Sequence, residues 1–300
     1  MKLERIQPKF NEQAARIPWK EDSDYGVLVH RDWTAKAKKE RRLTLKHHPL
    51  YWVAKTEGDY IAAQQVVDDL LNQETLLTLC ERIGNKKPII VAPSLTKEDP
   101  KNVIPVWFAY NVAYHLNLSV SREIFQSDKS HRTGRSGFYR LANDPEFYGT
   151  VHSGQDYLIV DDVLTMGGTL ASLRAFIESR GGNVIATTVL ADSNIKARVA
   201  HNKGLEFIEP QSEVFLKPTP EALEELRKKH GYKLAKLWES KKGYGLDCLT
   251  AREVDFLRFY PSIREIRKAF TEQENGGGDA QGPRCSRKVP QGKPPEATPA

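Results

Sequence analysis

The sequence predicts an α/β fold, a parallel sheet flanked by helices, with helical additions at its N- and C-terminal ends. Three observations carry this. The apolar runs PIIVAP (88–93), YLIVDD (157–162) and NVIATTVLA (183–191) are continuous rather than alternating, as in strands buried on both faces. Between them lie stretches whose apolar residues recur at helical spacing, and strands alternating with helices build parallel sheets. With 300 residues, 39% of them hydrophobic, the chain has enough apolar surface for a sizeable core.

Residues 1–56 read as a basic N-terminal extension. The segment RDWTAKAKKERRLTLK (31–46) is rich in Lys and Arg around Trp33 and would suit a nucleic-acid contact, although a solvated helix face is the commoner role of so short a run. His47 and His48 follow without the further ligands a metal site needs. The α/β core is expected over 57–217. A helix starts at Gly58 or Asp59 and carries Ile61, Val66, Val67, Leu70 and Leu71 near helical spacing. Asn72 caps a second helix, QETLLTLCERI, which stops at Gly84. The strand at 88–93 leads into the polar loop SLTKEDPKN. The helix VIPVWFAYNVAYHL follows, with Pro105 in its first turn. SVSREIF (119–125) reads as a strand, and a polar, basic loop covers 126–156. After YLIVDD, Gly167-Gly168 opens the helix TLASLRAFIESR, closed by Gly181-Gly182; LEFIE (205–209) is a further strand candidate.

Residues 218–271 form a helical C-terminal region that starts at Thr219-Pro220. Thr250-Ala-Arg-Glu253 and Ser262-Ile-Arg-Glu265 are capping boxes, so two helices flank Pro261. Such a pair can read DNA but more often packs on the main domain. Residues 272–300 are dominated by Gly, Pro and polar residues and read as a disordered tail.

The net charge of +6, from 45 basic and 39 acidic residues, suits a phosphorylated ligand or a nucleic acid without selecting between them. No run approaches the roughly 18 consecutive apolar residues of a membrane helix, and MKLERIQPKF lacks the apolar centre of a secretory signal. Three scattered cysteines, Cys80, Cys248 and Cys285, fit neither a disulfide framework nor a zinc site, which predicts a reducing, cytoplasmic compartment.

The chemistry concentrates in YLIVDDVLTMGGTL, residues 157–170. A buried strand delivers Asp161 and Asp162 to the carboxyl edge of a parallel sheet, where open α/β sheets bind ligands. The chain then turns through Thr165, Met166, Gly167, Gly168 and Thr169 into a helix. Glycines allow close approach of backbone to ligand, and a helix N-terminus offers unpaired N–H groups to an anion. A phosphate in the turn, with carboxylates beside it accepting from hydroxyls, describes a sugar phosphate.

This stretch resembles the 5-phosphoribosyl-1-diphosphate (PRPP) motif of the type I phosphoribosyltransferases, and the resemblance extends over about residues 88–210. It implies that Asp161 and Asp162 hold the ribose hydroxyls and that Thr165, Met166, Gly167, Gly168 and Thr169 wrap the 5′-phosphate. Met166 departs from the pattern, which usually has Thr, Ser, Ala or Arg there. The pyrophosphate loop of the family would fall on Ser94, Leu95, Thr96 and Lys97, with Lys101 nearby. A flexible lid would carry Lys129, His131, Arg132 and Arg135, with Lys129 and Arg132 acting on the diphosphate. Arg140-Leu-Ala-Asn143 and Phe147 are similar to the competence-associated (ComF-type) branch, whose cysteine-rich N-terminal zinc region has no counterpart here. Thr165 stands where hypoxanthine–guanine salvage enzymes usually have another Asp, which disfavours 6-oxopurine salvage.

The resemblance thus implies a Mg2+-dependent transferase that moves the phosphoribosyl group of PRPP to a nitrogen acceptor, a nucleobase or an amine, releasing pyrophosphate. Mg2+ would be held by PRPP and water rather than by direct protein ligands. Tyr110, Phe138 and Tyr139 are candidates to stack on a base. By analogy the protein would be a homodimer. Two further readings remain: a non-catalytic PRPP- or nucleotide-sensing regulator that binds nucleic acid, and a ComF-type DNA-uptake accessory.

Overall fold

The computed structural model describes residues 15–21, 23, 25–34, 43–93, 102–127, 136–193 and 213–274. Strand β1 (Gly26–Asp32) leads through a 3-10 turn (Leu45–His47) to helices α1 (Tyr51–Thr56), α2 (Tyr60–Leu70) and α3 (Gln73–Ile83). β2 (Ile89–Val91), α4 (Ile104–Leu116), β3 (Ser119–Val120), β4 (Ile124–Gln126), α5 (Gly137–Ala142) and β5 (Phe147–Gly149) follow. The chain continues with β6 (Asp156–Leu164), α6 (Gly168–Glu178), β7 (Asn183–Asp192) and β8 (Glu213–Phe215). Four helices complete it: α7 (Pro220–His230), α8 (Tyr232–Lys242), α9 (Ala251–Arg258) and α10 (Ile263–Glu274).

Six strands form one sheet in the order β3-β2-β6-β7-β1-β8. Neighbours from β3 to β1 are parallel, and β8 lies antiparallel to β1. Leu28, Ile90, Leu158, Val160 and Leu190 pack on one face with α2, α3 and α4. Val27, Val29, Tyr157, Ile159 and Val189 pack on the other with α6. Burial on both faces explains why these runs are apolar without alternation. The helix starts follow their caps. Asp59 accepts from the Ala62 N–H at 2.9 Å and Asn72 from the Thr75 N–H at 3.2 Å. Pro105 and Pro220 sit in first turns. At Thr250 both halves of the capping box form.

The structure corrects several expectations. Among the described residues of 1–56, the segment 26–32 does not lie outside the core: β1 is an inner strand, paired with β7 and β8. Its signal, GVLVH, is short and adjoins a basic run that dominates the local composition. The single strand expected over 119–125 is two: β3 joins the main sheet, and β4 pairs antiparallel with β5 in a separate ribbon. The loop expected over 126–156 contains α5 and β5. Strand β6 continues to Leu164, paired with β7 as far as Asp192, so Asp161 and Asp162 lie inside the strand rather than at its end. The candidate strand 205–209 and the tail beyond residue 274 lie outside the described residues.

The helices around Pro261 pack rather than project. Val254, Leu257, Ile266 and Phe270 join α7 and α8 in a third apolar cluster that also takes in Phe138, Leu141 and Met166. Residues 15–21 reach the same region, where the Trp19 indole N–H donates to the Leu249 carbonyl at 2.7 Å. Among the described residues, no helix is long and apolar enough to cross a membrane.

Candidate functional site

Beyond Ile159, strand β6 loses its β2 partner while keeping β7, which opens one side of its carboxyl-terminal end. Asp161 and Asp162 occupy this stretch. Asp162 is buried, and its Oδ2 receives both the Lys55 ammonium of α1 and the Asn102 side-chain amide, the latter at 3.0 Å. Asp161 Oδ1 accepts from the Asp162 N–H at 2.8 Å. The two carboxyls also share a side-chain hydrogen bond with each other.

The two carboxyls differ electrostatically. Burial, and then repulsion from Asp162, push the Asp161 carboxyl far above the ordinary carboxylate range. Burial also opposes ionisation of Asp162, but the Lys55 charge and the hydrogen bonds from Lys55 and Asn102 overcome it and hold that carboxyl low. Of the two, Asp162 is the readier to carry the charge and Asp161 the readier to hold a proton. Tyr51, also on α1, is buried beside them; burial and then the Asp162 charge push its hydroxyl up, against a smaller effect of Arg140.

The turn Thr165–Gly167 follows directly. Gly167 adopts φ +83°, a left-handed conformation that favours glycine, and caps α6 without any side-chain hydrogen bond. Met166, Gly167 and Gly168 are buried, while Thr165 and Thr169 are half-buried on either side. The carbonyls of the turn face protein donors. Leu164 O accepts from the Ser193 N–H at 2.9 Å, Thr165 O from Arg252 at 2.7 Å, Met166 O from the Thr250 hydroxyl, and Gly167 O from the Ala171 N–H at 2.9 Å. The N–H groups of Thr165 through Thr169 find no acceptor among the described residues. A row of amides at a helix N-terminus with no acceptor among the described residues, and with every carbonyl turned away, is the kind of arrangement that suits an anion. Arg140 of α5 adds a cation: its Nη1 lies 3.1 Å from Thr165 Oγ1, and it is held within reach of the Asp162 charge.

The departure at Met166 has a structural reason. Its side chain is 3% exposed and fills the C-terminal helical cluster, leaving only backbone at the turn. Of the aromatic candidates, Phe138 is fully buried in that same cluster and offers no face to a base, whereas Tyr110 is exposed on α4. His47 bonds Thr44 and His48 bonds Asp69, each at 3.0 Å. Ser94, Leu95, Thr96, Lys97, Lys101, Lys129, His131, Arg132 and Arg135 lie outside the described residues. Lys55, Asn102, Thr250 and Arg252 were not legible as site residues, because each comes from an element far in sequence from the acid pair.

No three His, Cys, Asp or Glu side chains cluster as metal ligands among the described residues.

The chain is similar to several known proteins. It is 38% identical over 232 residues to Protein TraN of Escherichia coli, covering 77% of this chain and 48% of that protein. It is 37% identical over 130 residues to an uncharacterized protein of Haemophilus influenzae, covering 43% of this chain and 29% of that one. The chain thus spans about half the length of the first relative and under a third of the second. Solved structures that align with it include adenine phosphoribosyltransferase of Thermoanaerobacter pseudethanolicus, at 20% identity and TM-score 0.31 over 50% of this chain and 84% of that chain. Hypoxanthine phosphoribosyltransferase of Staphylococcus aureus aligns at 19% identity and TM-score 0.29 over 43% and 62%. None of these bears on the likeness to the ComF-type branch. Residues 106–225, which hold the acid pair, the turn and helix α6, match the phosphoribosyl transferase domain family.

Proposed function

We propose that the chain transfers the 5-phosphoribosyl group of Mg2+–PRPP to a nitrogen acceptor, a nucleobase or an amine, and releases pyrophosphate. One observation carries the reading: the acid pair of β6 runs directly into a turn whose amides are unpaired and whose carbonyls are all tied back. The 5′-phosphate sits on those amides, with Thr165, Thr169 and Arg140 around it. The ribose hydroxyls meet the carboxyl pair of Asp161 and Asp162. The acceptor nitrogen forms its bond to C1′ as the C1′–oxygen bond to diphosphate breaks, the electron pair leaving with pyrophosphate. Mg2+, brought with the substrate, neutralises that leaving group. The Asp162 charge beneath the ring stabilises the positive charge developing at C1′, and fixed geometry supplies the rest. Ser94, Leu95, Thr96 and Lys97 would receive pyrophosphate, and Lys129, His131, Arg132 and Arg135 would close over it. A reducing, cytoplasmic setting fits the free thiols of Cys80 and Cys248.

The test is pyrophosphate release from Mg2+–PRPP across nucleobases and amines, with Asp161→Asn/Asp162→Asn as control. Release with one acceptor, abolished in the control, supports the transferase and names its acceptor. PRPP binding without release from any acceptor turns the reading to a PRPP-sensing regulator. Failure to bind PRPP overturns both.

A further inference from the structure

The anion turn is held from behind by residues outside the family domain. In a trans peptide the carbonyl of one residue and the N–H of the next point in opposite directions. Whatever fixes the Thr165 carbonyl therefore aims the Met166 amide, and whatever fixes the Met166 carbonyl aims the Gly167 amide. Both carbonyls are held from the start of α9. Arg252 Nη1 donates to Thr165 O at 2.7 Å, and the Thr250 hydroxyl donates to Met166 O. Arg252 is itself fixed by two bonds to Asp192, at 2.6 and 2.8 Å, where β7 ends. Thr250 is fully buried and uses its hydroxyl twice: it donates to Met166 O and accepts from the Glu253 N–H at 3.1 Å as the cap of α9. The Met166 side chain, plugged into the cluster formed by α7 to α10, holds the same peptides from the apolar side.

We propose that Thr250 and Arg252 are positioning residues of the phosphate site, which aim the amides of residues 166 and 167 at the ligand; this rests on the reading of 165–169 as the turn that binds a 5′-phosphate. The C-terminal helices are then part of the binding machinery and not an appendage. Loss of either donor frees a peptide to rotate and turn a carbonyl oxygen towards the anion.

Capping and aiming can be separated at Thr250. Asp at this position still accepts from the Glu253 N–H, as a good cap does, but an ionised carboxylate has no hydrogen to give Met166 O. Ser retains both functions. Binding of two probes to the full chain is measured by calorimetry: ribose 5-phosphate, which reads the turn, and pyrophosphate, which reads the loop at 94–97. The expected result is a loss of at least tenfold in ribose 5-phosphate affinity for Thr250→Asp, wild-type affinity for Thr250→Ser, and unchanged pyrophosphate affinity in both. Arg252→Met/Asp192→Asn removes the second donor without leaving a lone charge and should give the same selective loss; it carries the test if Thr250→Asp does not fold. Wild-type ribose 5-phosphate affinity in Thr250→Asp or in the Arg252→Met/Asp192→Asn pair overturns the positioning role while leaving the phosphate turn intact. An equal loss for both probes assigns the residues to general stability instead. Wild-type protein that binds pyrophosphate but not ribose 5-phosphate overturns the reading of the turn itself.

Discussion

The Lys55 ammonium and the Asp162 carboxylate form a buried ion pair across 107 residues of sequence, with side chains only 11% and 7% exposed. The pair fastens α1 over the carboxyl end of β6. Removing one partner of a buried pair leaves the other uncompensated, which typically costs about 3–5 kcal/mol. Lys55→Met should therefore destabilise the protein by about 3 kcal/mol at pH 7, read by urea unfolding. Asp162 is held low in the folded state, so its contribution is present above the ordinary carboxylate pKa and is lost as pH falls. The Lys55→Met penalty should shrink on acidification, and Lys55→Met/Asp162→Asn should recover part of it at pH 7. A penalty independent of pH would place the effect in the packing of the lysine stem.

Asp161 titrates with the opposite sign. Its carboxyl is pushed up by burial and by Asp162, so between the unfolded and folded pKa values the folded state binds the extra proton. Stability then falls as pH rises from the ordinary carboxylate range through neutrality. Asp161→Asn cannot titrate and should flatten that slope, becoming more stable than wild type at pH 8 to 9 while matching it near pH 4. Thermal unfolding across this range checks the prediction, and parallel profiles for the two proteins would refute it.

The strands at 89–91, 156–164 and 183–192 were legible because burial on both faces leaves a continuous apolar signature, and the helices because Asp59, Asn72, Thr219 and Thr250 mark their starts. The acid pair and the glycine turn were legible because their chemistry is written in consecutive residues. Lys55, Asn102 and Arg252 were not, because they reach the site only through tertiary packing. The place of β1 inside the sheet was hidden for a different reason: its apolar run is short, and the Lys and Arg that follow set the local average.

Arg140 lies beside Thr165 Oγ1 at the mouth of the turn. A cation at that position should contribute a charge-assisted hydrogen bond to a bound 5′-phosphate, worth about 1.5–3 kcal/mol. Arg140→Met should weaken ribose 5-phosphate binding by about tenfold or more and reduce its dependence on salt. Calorimetry at two ionic strengths reads both quantities. Unchanged affinity would return Arg140 to a role in holding α5 against the turn.

Gly167 combines a left-handed φ of +83° with close neighbours: an added Cβ would lie 2.7 Å from Leu216 Cδ2 and 3.3 Å from Thr250 Cγ2. The left-handed conformation alone costs a non-glycine residue about 1–2 kcal/mol. Gly167→Ala should lower the unfolding free energy by at least that amount and weaken ribose 5-phosphate binding as well, since the turn must shift to admit the methyl group. Thermal unfolding alongside phosphate binding tests this; a variant with wild-type stability would show that the turn relaxes freely and is not held at the conformation described.

Arg16 ties three parts of the chain together beneath α6. It donates to Glu253 at 2.6 and 3.0 Å, to Asp144 at 2.5 Å and to Ser172 at 3.2 Å, and it is 4% exposed. Asp144 has further support from Lys242 and Tyr244, each at 2.8 Å, whereas Glu253 is fully buried and, among the described residues, forms its ion pair with Arg16. Arg16→Met should therefore cost about 3–5 kcal/mol, chiefly through Glu253. Because Glu253 also closes the cap at Thr250, the variant should loosen the start of α9 more than the sheet. Hydrogen exchange resolves the difference: amides of 251–258 should lose protection before those of β6 and β7. Adding Glu253→Gln removes the stranded charge and should restore part of the stability, while equal protection losses across helix and sheet would show that Arg16 supports the whole core evenly.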